Sequence, residues 1–413
     1  MEHARPVVYR YRWAILSVFA LLNIVIEVHW VALAPVTSEA AAYYRVTPMS
    51  IGFLSMLFML VYIVVSMPAS YIIDTYGIRT GIGAGAALIG AFGLLKGLYA
   101  FNYTMVVLSQ VGLAVAQPFI LNAYTRVAAN WFPMEERATA TGLAALSQYL
   151  GIIVAMAVTP VLVHGYSIDG TFRIYGLASL GAAVLFFLLF REHPPTPPSL
   201  FDEKERFAVG AGLRHIFRQK QMRLLLVLFL IGIGIFNAVT TWIEQILGPR
   251  GFSAEQAGIA GAAMILGGII GACILPPLSD RVRKRVPFLV LATSFTIPGL
   301  AGLAFANNYA LLLGSSFVLG FFTMSAGPIG FQYGAELSYP APESTSQGIL
   351  LLAGQISGAA FIYGMYAFRS DGGSMTPFMV LFIALAAVNA LLCTRLTESK
   401  LIRRSEDVDP DSA

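Results

Sequence analysis

Charge is scarce in this chain: Asp, Glu, Lys and Arg together make up 12% of 413 residues, about half the share of a soluble domain. A large water-facing surface is thereby excluded. Cysteine is scarcer still, with two copies, Cys273 and Cys393, both in or beside apolar stretches, so no disulfide is expected. No Walker loop, His-Glu-x-x-His or Cys-x-x-Cys occurs, which leaves ATP hydrolysis and metal catalysis without support. No catalytic residues, metal site or cofactor are expected. A cleavable signal peptide is not visible either, because the first apolar run is too long for a signal h-region and lacks a small-residue cleavage site. That run is expected to stay as a membrane helix.

What takes the place of charge is hydrocarbon: 57% of residues are hydrophobic and the mean hydropathy is +0.73. Apolar runs of about 20 residues, each long enough to cross the ~30 Å hydrocarbon layer as a helix, recur along the chain. Twelve spans are expected, at 13–36, 49–73, 80–100, 104–126, 138–162, 174–190, 224–246, 254–278, 286–305, 309–332, 347–368 and 376–394. The fold class is therefore an all-α membrane protein with twelve transmembrane helices.

Lysine and arginine flanking such spans are retained on the cytoplasmic side. With both termini inside, 21 of the 26 fall in cytoplasmic segments and four, Arg45, Arg173, Arg250 and Arg369, fall outside. This bias predicts cytoplasmic termini in a plasma or inner membrane. The net charge of +4 then reflects topology and attraction to lipid headgroups, and no nucleic-acid partner is implied.

The longest polar segment begins at "REHPPTPPSLFDEKER" and splits the spans six and six. Expected domains are an N-terminal half at 1–190, a cytoplasmic linker at 191–223, a C-terminal half at 224–394 and a tail at 395–413. Six plus six around a central loop is the layout of transporters built from two related halves. The repeat shows after the second span of each half, in "PASYIIDTYGIRTG" and "PPLSDRVRKR". An acid follows a small or helix-ending residue by four positions in both, Ser70 to Asp74 and Pro276 to Asp280, with basic residues behind it.

This pattern resembles the Gly-x-x-x-Asp-x-x-Gly-Arg loop signature of the major facilitator superfamily, with Ser70 in the first glycine's place and Asp74, Gly77 and Arg79 approximating the rest. The major facilitator fold is thereby implied. An acid there can bond free backbone groups at a helix end of the other half, with the arginine locking it in place. Asp74, Arg79 and Asp280 are accordingly gating candidates, while a topology-retaining loop suffices for Arg283, Lys284 and Arg285. Arg137 in "RVAANWFPMEERATATG" and Glu336 in "AELSYPAPESTSQG" join the gating set, as partners for ion pairs between halves.

Ionisable residues are costly in mid-membrane and usually face a partner or a cavity. Glu27, Lys96 and Glu244 are the acidic or lysine cases. Asn23, Glu27 and Trp30 are spaced i, i+4 and i+7, and so are Asn237, Thr241 and Glu244 in the equivalent span of the other half, so each trio shares a helix face. A shared central cavity would satisfy both stripes; hydrogen bonds between helices are the alternative. Glu27 and Glu244 are candidates for cation binding or proton coupling. His29 lies about 200° around the helix from Glu27, which suits an interhelix hydrogen bond. Trp30 offers a cation–π face or plain packing. Lys96 is expected to snorkel or to pair with a neighbouring helix, and Gln117 and Gln355 suit uncharged polar contacts. "GIGAGAALIGAFG" imitates a dinucleotide loop but reads as close helix packing, as do Gly267 and Gly271.

Longer runs carry a narrower resemblance. "FLSMLFMLVYIVVSMPASYIIDTYGIR", "VAQPFILNAYTRVAANWF", "SQYLGIIVAMAVTPVLV", "ELSYPAPESTSQG" and "AGQISG" are similar to the feline leukaemia virus subgroup C receptor family of transporters. That family implies facilitative transport of choline and ethanolamine, with haem export also proposed and a proton-driven vitamin B6 transporter among its relatives. The resemblance places its cage tryptophan at Trp30, its binding glutamines at Gln117 and Gln355, and the tyrosine completing its cage at Asn237. Loss of that aromatic wall weakens the case for a quaternary ammonium, and Glu27, Glu244 and His29 make the site wetter and more acidic. The expected function is a secondary active or facilitative transporter moving a small polar organic solute, an amine or cation, by alternating access. Uniport and proton-coupled transport both stay open within this reading, and the protein is expected to work as a monomer among membrane lipids. A proton-driven multidrug-type exporter and a membrane receptor or sensor are the alternatives.

Overall fold

The computed structural model describes residues 9–133, 136–196, 217–338, 343–370 and 373–398. In hydrocarbon a backbone has no water to bond, so a helix, which satisfies its own N–H and C=O groups, is the available spanning form. Every regular element among the described residues is helical.

The chain divides into two compact units, Met1–Glu203 and Lys204–Ala413. The first contains α1 (Arg12–Val31), α2 (Thr37–Tyr44), α3 (Pro48–Tyr76), α4 (Ile78–Leu98), α5 (Tyr103–Leu121), α6 (Tyr124–Trp131) and α7 (Arg137–Leu189). The second contains α8 (Lys220–Thr241), α9 (Ile243–Leu247), α10 (Ala254–Val282), α11 (Val286–Phe305), α12 (Tyr309–Ser338), α13 (Glu343–Ala367) and α14 (Thr376–Cys393). Eleven helical segments among the described residues are long and apolar enough to cross a membrane. One of them, Ala140–Leu189, has 50 residues, about 75 Å at 1.5 Å per residue, more than twice the hydrocarbon thickness. It breaks at Ser167, whose φ of 61° and ψ of 174° are not helical. That break falls in the gap between the expected spans 138–162 and 174–190.

Local sequence explains where helices start and stop. Thr47, Asn102 and Ser253 cap α3, α5 and α10 by accepting from the backbone N–H three residues on, and Ser253 completes a capping box with Gln256. Pro35 has no N–H to give Val31, and α1 ends at Val31. The first expected span, 13–36, is therefore shorter as a helix, continuing as the short turn Ala34–Val36 and then α2.

Small residues set the helix spacing as expected. A Cβ on Gly97 would lie 2.7 Å from the Phe172 carbonyl oxygen, and Gly90 and Gly93 meet Ala183 and Ser179, so α4 lies close on α7. In the second unit Gly267 and Gly271 face the backbone carbonyls of Phe317 and Phe321, and Gly320 faces that of Met264. These glycines let α10 and α12 approach nearly backbone to backbone.

Candidate functional site

Within the first unit, α1 presents its polar residues to three neighbours. Glu27 is fully buried, and its Oε1 accepts a 2.9 Å hydrogen bond from Gln117 Nε2 of α5. Its Oε2 is buried without a hydrogen-bond partner among the described residues. The Tyr124 and Tyr149 phenols, from α6 and α7, lie within electrostatic reach of this carboxyl group. Gly151 of α7 makes the approach possible, since a Cβ there would sit 2.9 Å from the Glu27 Cβ and 2.5 Å from the Ile24 carbonyl.

One turn away, Asn23 donates to Ala144 O at 3.0 Å and to Ser147 Oγ at 2.8 Å, so its amide hydrogens are spent on α7. Trp30 is 7% exposed, and its indole N–H has no partner among the described residues. His29 points elsewhere, as the helical angle requires: its Nε2 lies 2.8 Å from Ser179 Oγ of α7. Glu27 and Trp30 thus carry unfilled hydrogen-bonding capacity on one stretch of α1, while Asn23 and His29 also hold helices together.

Lys96 does not snorkel. It is 1% exposed and donates to Gln110 Oε1 at 2.6 Å, with its ammonium 4.2 Å from the centre of the Phe172 ring.

In the second unit the stripe is interrupted. α8 ends at Thr241, Trp242 takes φ −104° and ψ 19°, and Glu244 belongs to the separate short helix α9. The i, i+4, i+7 spacing of Asn237, Thr241 and Glu244 therefore does not describe one continuous helical face. The cause is tertiary: the Trp242 indole donates to Ile362 O at 3.0 Å and stacks on Tyr366 at 5.9 Å, which fixes the turn from α13. Asn237 and Thr241 are buried, with Asn237 Nδ2 and Thr241 Oγ1 unpartnered among the described residues. Glu244 Oε2 accepts from Gln245 Nε2 at 2.7 Å. Gln355 is half-buried on α13.

Arg79, Asp280 and Glu336, of the gating candidates, form contacts inside their own units. The Asp74 and Arg137 side chains lie outside the described ones. Arg79 has an exposed side chain, and its backbone N–H, with that of Ile78, donates to the two oxygens of Glu192 at 2.6 and 2.8 Å. Gly77, at φ +91°, provides the turn, and a Cβ there would lie 2.5 Å from Glu192 Oε1. Glu192 therefore caps α4. Glu398 does the same for α11, accepting from Arg285 N at 3.0 Å and Val286 N at 2.9 Å.

Arg285, expected to be a plain loop charge, is instead the hub of its turn. It binds Asp280 and donates to Glu336 Oε1 from Nε at 3.2 Å and Nη2 at 3.1 Å. Glu336 is thus engaged within the second unit. Burial opposes the charge on Arg285, but the hydrogen bond to Asp280 and the Glu336 charge outweigh it and hold the guanidinium above its ordinary pKa. Asn122, at the α5–α6 break, plays a related part in the first unit. It accepts from Tyr62 and donates to Ser66 and to Ser70, the residue that replaces the signature glycine.

Sequence reading missed Glu192, Glu398, Asn122 and Gln110. The signal for the first two was present, because "REHP" and "TESK" follow the last span of each half.

Known proteins match along nearly the whole length. The family described as Major Facilitator Superfamily matches residues 14–362. Solute carrier family 49 member A3 from Danio rerio is 32% identical over 90% of this chain and 82% of its own length. The human choline/ethanolamine transporter FLVCR2 is 27% identical over 95% of this chain and 79% of its own, in line with the resemblance read from the sequence. Among solved structures, an inward-facing, unoccupied bacterial homolog of the human lysosomal transporter Spinster aligns with TM-score 0.75 at 14% identity, covering 97% of this chain and 98% of the other. A D-xylose-proton symporter aligns with TM-score 0.70 at 14% identity over 94% and 99%.

Proposed function

Because the chain belongs to the Major Facilitator Superfamily, and so is a multi-pass membrane transporter, we propose that it carries a small polar organic solute, an amine or other cation, by alternating access. Both termini face the cytoplasm in this reading, and no bond of the solute is made or broken. The observation that carries the cation preference is Glu27, a fully buried carboxylate with one oxygen held by Gln117 and the other without a partner among the described residues. An intramembrane carboxylate is costly unless a proton or a cation offsets it. Trp30, three positions nearer the C-terminal end of α1, adds an aromatic face worth ~0.5–2 kcal/mol to a desolvated cation.

Gln117, Asn23, Asn237, Thr241 and Gln355 supply uncharged polar contacts in this reading, and Glu244 a second acidic one. Asp74, Arg79, Arg137, Asp280 and Glu336 belong to the gate, with Arg285 holding Asp280 and Glu336 in place. The choline and ethanolamine named for the human and rodent relatives support the amine class, and Asn237 in place of the cage tyrosine argues for a solute that needs less aromatic enclosure. Glu27 exchanges a proton when the amine is absent, which couples solute to proton.

A thermal-shift series on the purified protein tests the charge preference. Amines at about 100 times their Kd stabilise by ~2.7 kcal/mol, and organic anions of the same size leave the transition unmoved. Stabilisation by the anions and none by the amines overturns the reading.

A further inference from the structure

We propose that Lys96 and Gln110 are a positioning pair that fixes the last turn of α1, and with it Trp30 and Glu27, for solute binding; this rests on the assignment of those two residues to the solute site. The last carbonyls of any helix lack partners on their own backbone, and in hydrocarbon no water replaces them. Here the problem falls inside a span, because Pro35 stops α1 at Val31. Side chains from neighbouring helices take over. Gln110 Nε2 of α5 donates to His29 O at 3.0 Å and to Leu54 O of α3 at 3.2 Å, and Ser55 Oγ donates to Trp30 O at 3.0 Å.

Gln110 serves this role in one orientation of its amide. Turned over, it would aim a carbonyl at two carbonyls. An ammonium has donors and no acceptor, so Lys96, 2.6 Å from Gln110 Oε1, holds that oxygen and leaves Nε2 facing the α1 end. A positive charge also polarises the amide and strengthens its N–H donors. Lys96 forms no ion pair among the described residues. Its charge is met by the Phe172 ring and, through Gln110, by the negative end of the α1 dipole. A space-filling residue at this position would be apolar and would avoid the cost of a buried ammonium. In this proposal the Lys96 donor sets the direction of the Gln110 amide.

The test combines amide hydrogen exchange over residues 28–36 with uptake kinetics on the full chain in lipid. Lys96→Met and Gln110→Leu each speed exchange in that segment about tenfold, the effect of one lost charge-assisted hydrogen bond. The double variant adds little to either single one, because the pair acts as a unit. Lys96→Gln, which keeps an N–H donor, recovers a good part of the protection and guards against a folding failure in Lys96→Met. KM for the transported amine rises about fivefold or more in Lys96→Met and Gln110→Leu, with the maximal rate within about twofold of the parent. Unchanged exchange in both single variants, or additive effects in the double one, overturns the pair. Faster exchange with an unchanged KM upholds the pair and instead removes Trp30 from the solute site.

Discussion

Replacing Glu192 by alanine isolates one structural idea, that each half closes its last span back onto the start of its third. Glu192 accepts from two adjacent backbone N–H groups at the N-terminus of α4, at 2.8 and 2.6 Å. Deleting a helix N-cap acceptor costs about 1 kcal/mol on average and up to about 2. Loss of a carboxylate from the positive end of the helix dipole adds ~0.3–1 kcal/mol. Glu192 is half-buried, which keeps the sum near 2 kcal/mol. In a unit of roughly 200 residues each kcal/mol moves Tm by about 2–4 °C, so the expected fall is about 4–8 °C. Thermal unfolding in detergent at a fixed scan rate reads it. Glu192→Gln keeps a neutral acceptor and should lose about half as much. Glu398→Ala should match Glu192→Ala, and the two should add, because the caps share no partner. A fall under about 1 °C for Glu192→Ala refutes the capping argument.

Other consequences are equally direct. Arg285→Met leaves Glu336, whose side chain is 9% exposed, buried beside an apolar group, and should cost ~3 kcal/mol in thermal unfolding; adding Glu336→Gln should restore most of it. Gly320→Val drives a Cβ into the Met264 carbonyl and should cost ~1–3 kcal/mol, whereas Gly314→Ala, with open space around its position, should be neutral or stabilising by ~1 kcal/mol. Ser179→Ala removes the His29 partner and should cost, in thermal unfolding, the ~1–3 kcal/mol of a buried group left unsatisfied, while amine KM stays within about twofold.

How much of this was legible in the sequence depended on the range of the interaction. The run of apolar helices, the close packing at Gly267 and Gly271, and the separation of His29 from Glu27 follow from local period and residue size, and the structure has them, with the spans at 13–36 and 224–246 cut short at Val31 and Thr241. The break after Thr241 was not legible, because it is imposed by Ile362 and Tyr366, more than a hundred positions downstream. Arg285 looked like one of several topology-retaining cations. Only the approach of Asp280 and Glu336, from α10 and α12, separates it from Arg283 and Lys284. Lys96 was open for a related reason: snorkelling and pairing demand the same residue type, and the choice falls to Gln110 on the next helix. For Glu27 a charge in hydrocarbon was legible; the bond to Gln117 and the second oxygen, without a partner among the described residues, came from the fold.

The central claim, that Glu27 joins an amine solute to a proton, meets its most direct test in purified protein reconstituted into liposomes. Uptake of the amine that stabilises the protein most is measured with and without a pH gradient, for the parent and for Glu27→Gln. The account predicts gradient-driven accumulation in the parent and, in Glu27→Gln, loss of that dependence with normal membrane insertion. Accumulation by Glu27→Gln that still follows the pH gradient would contradict it.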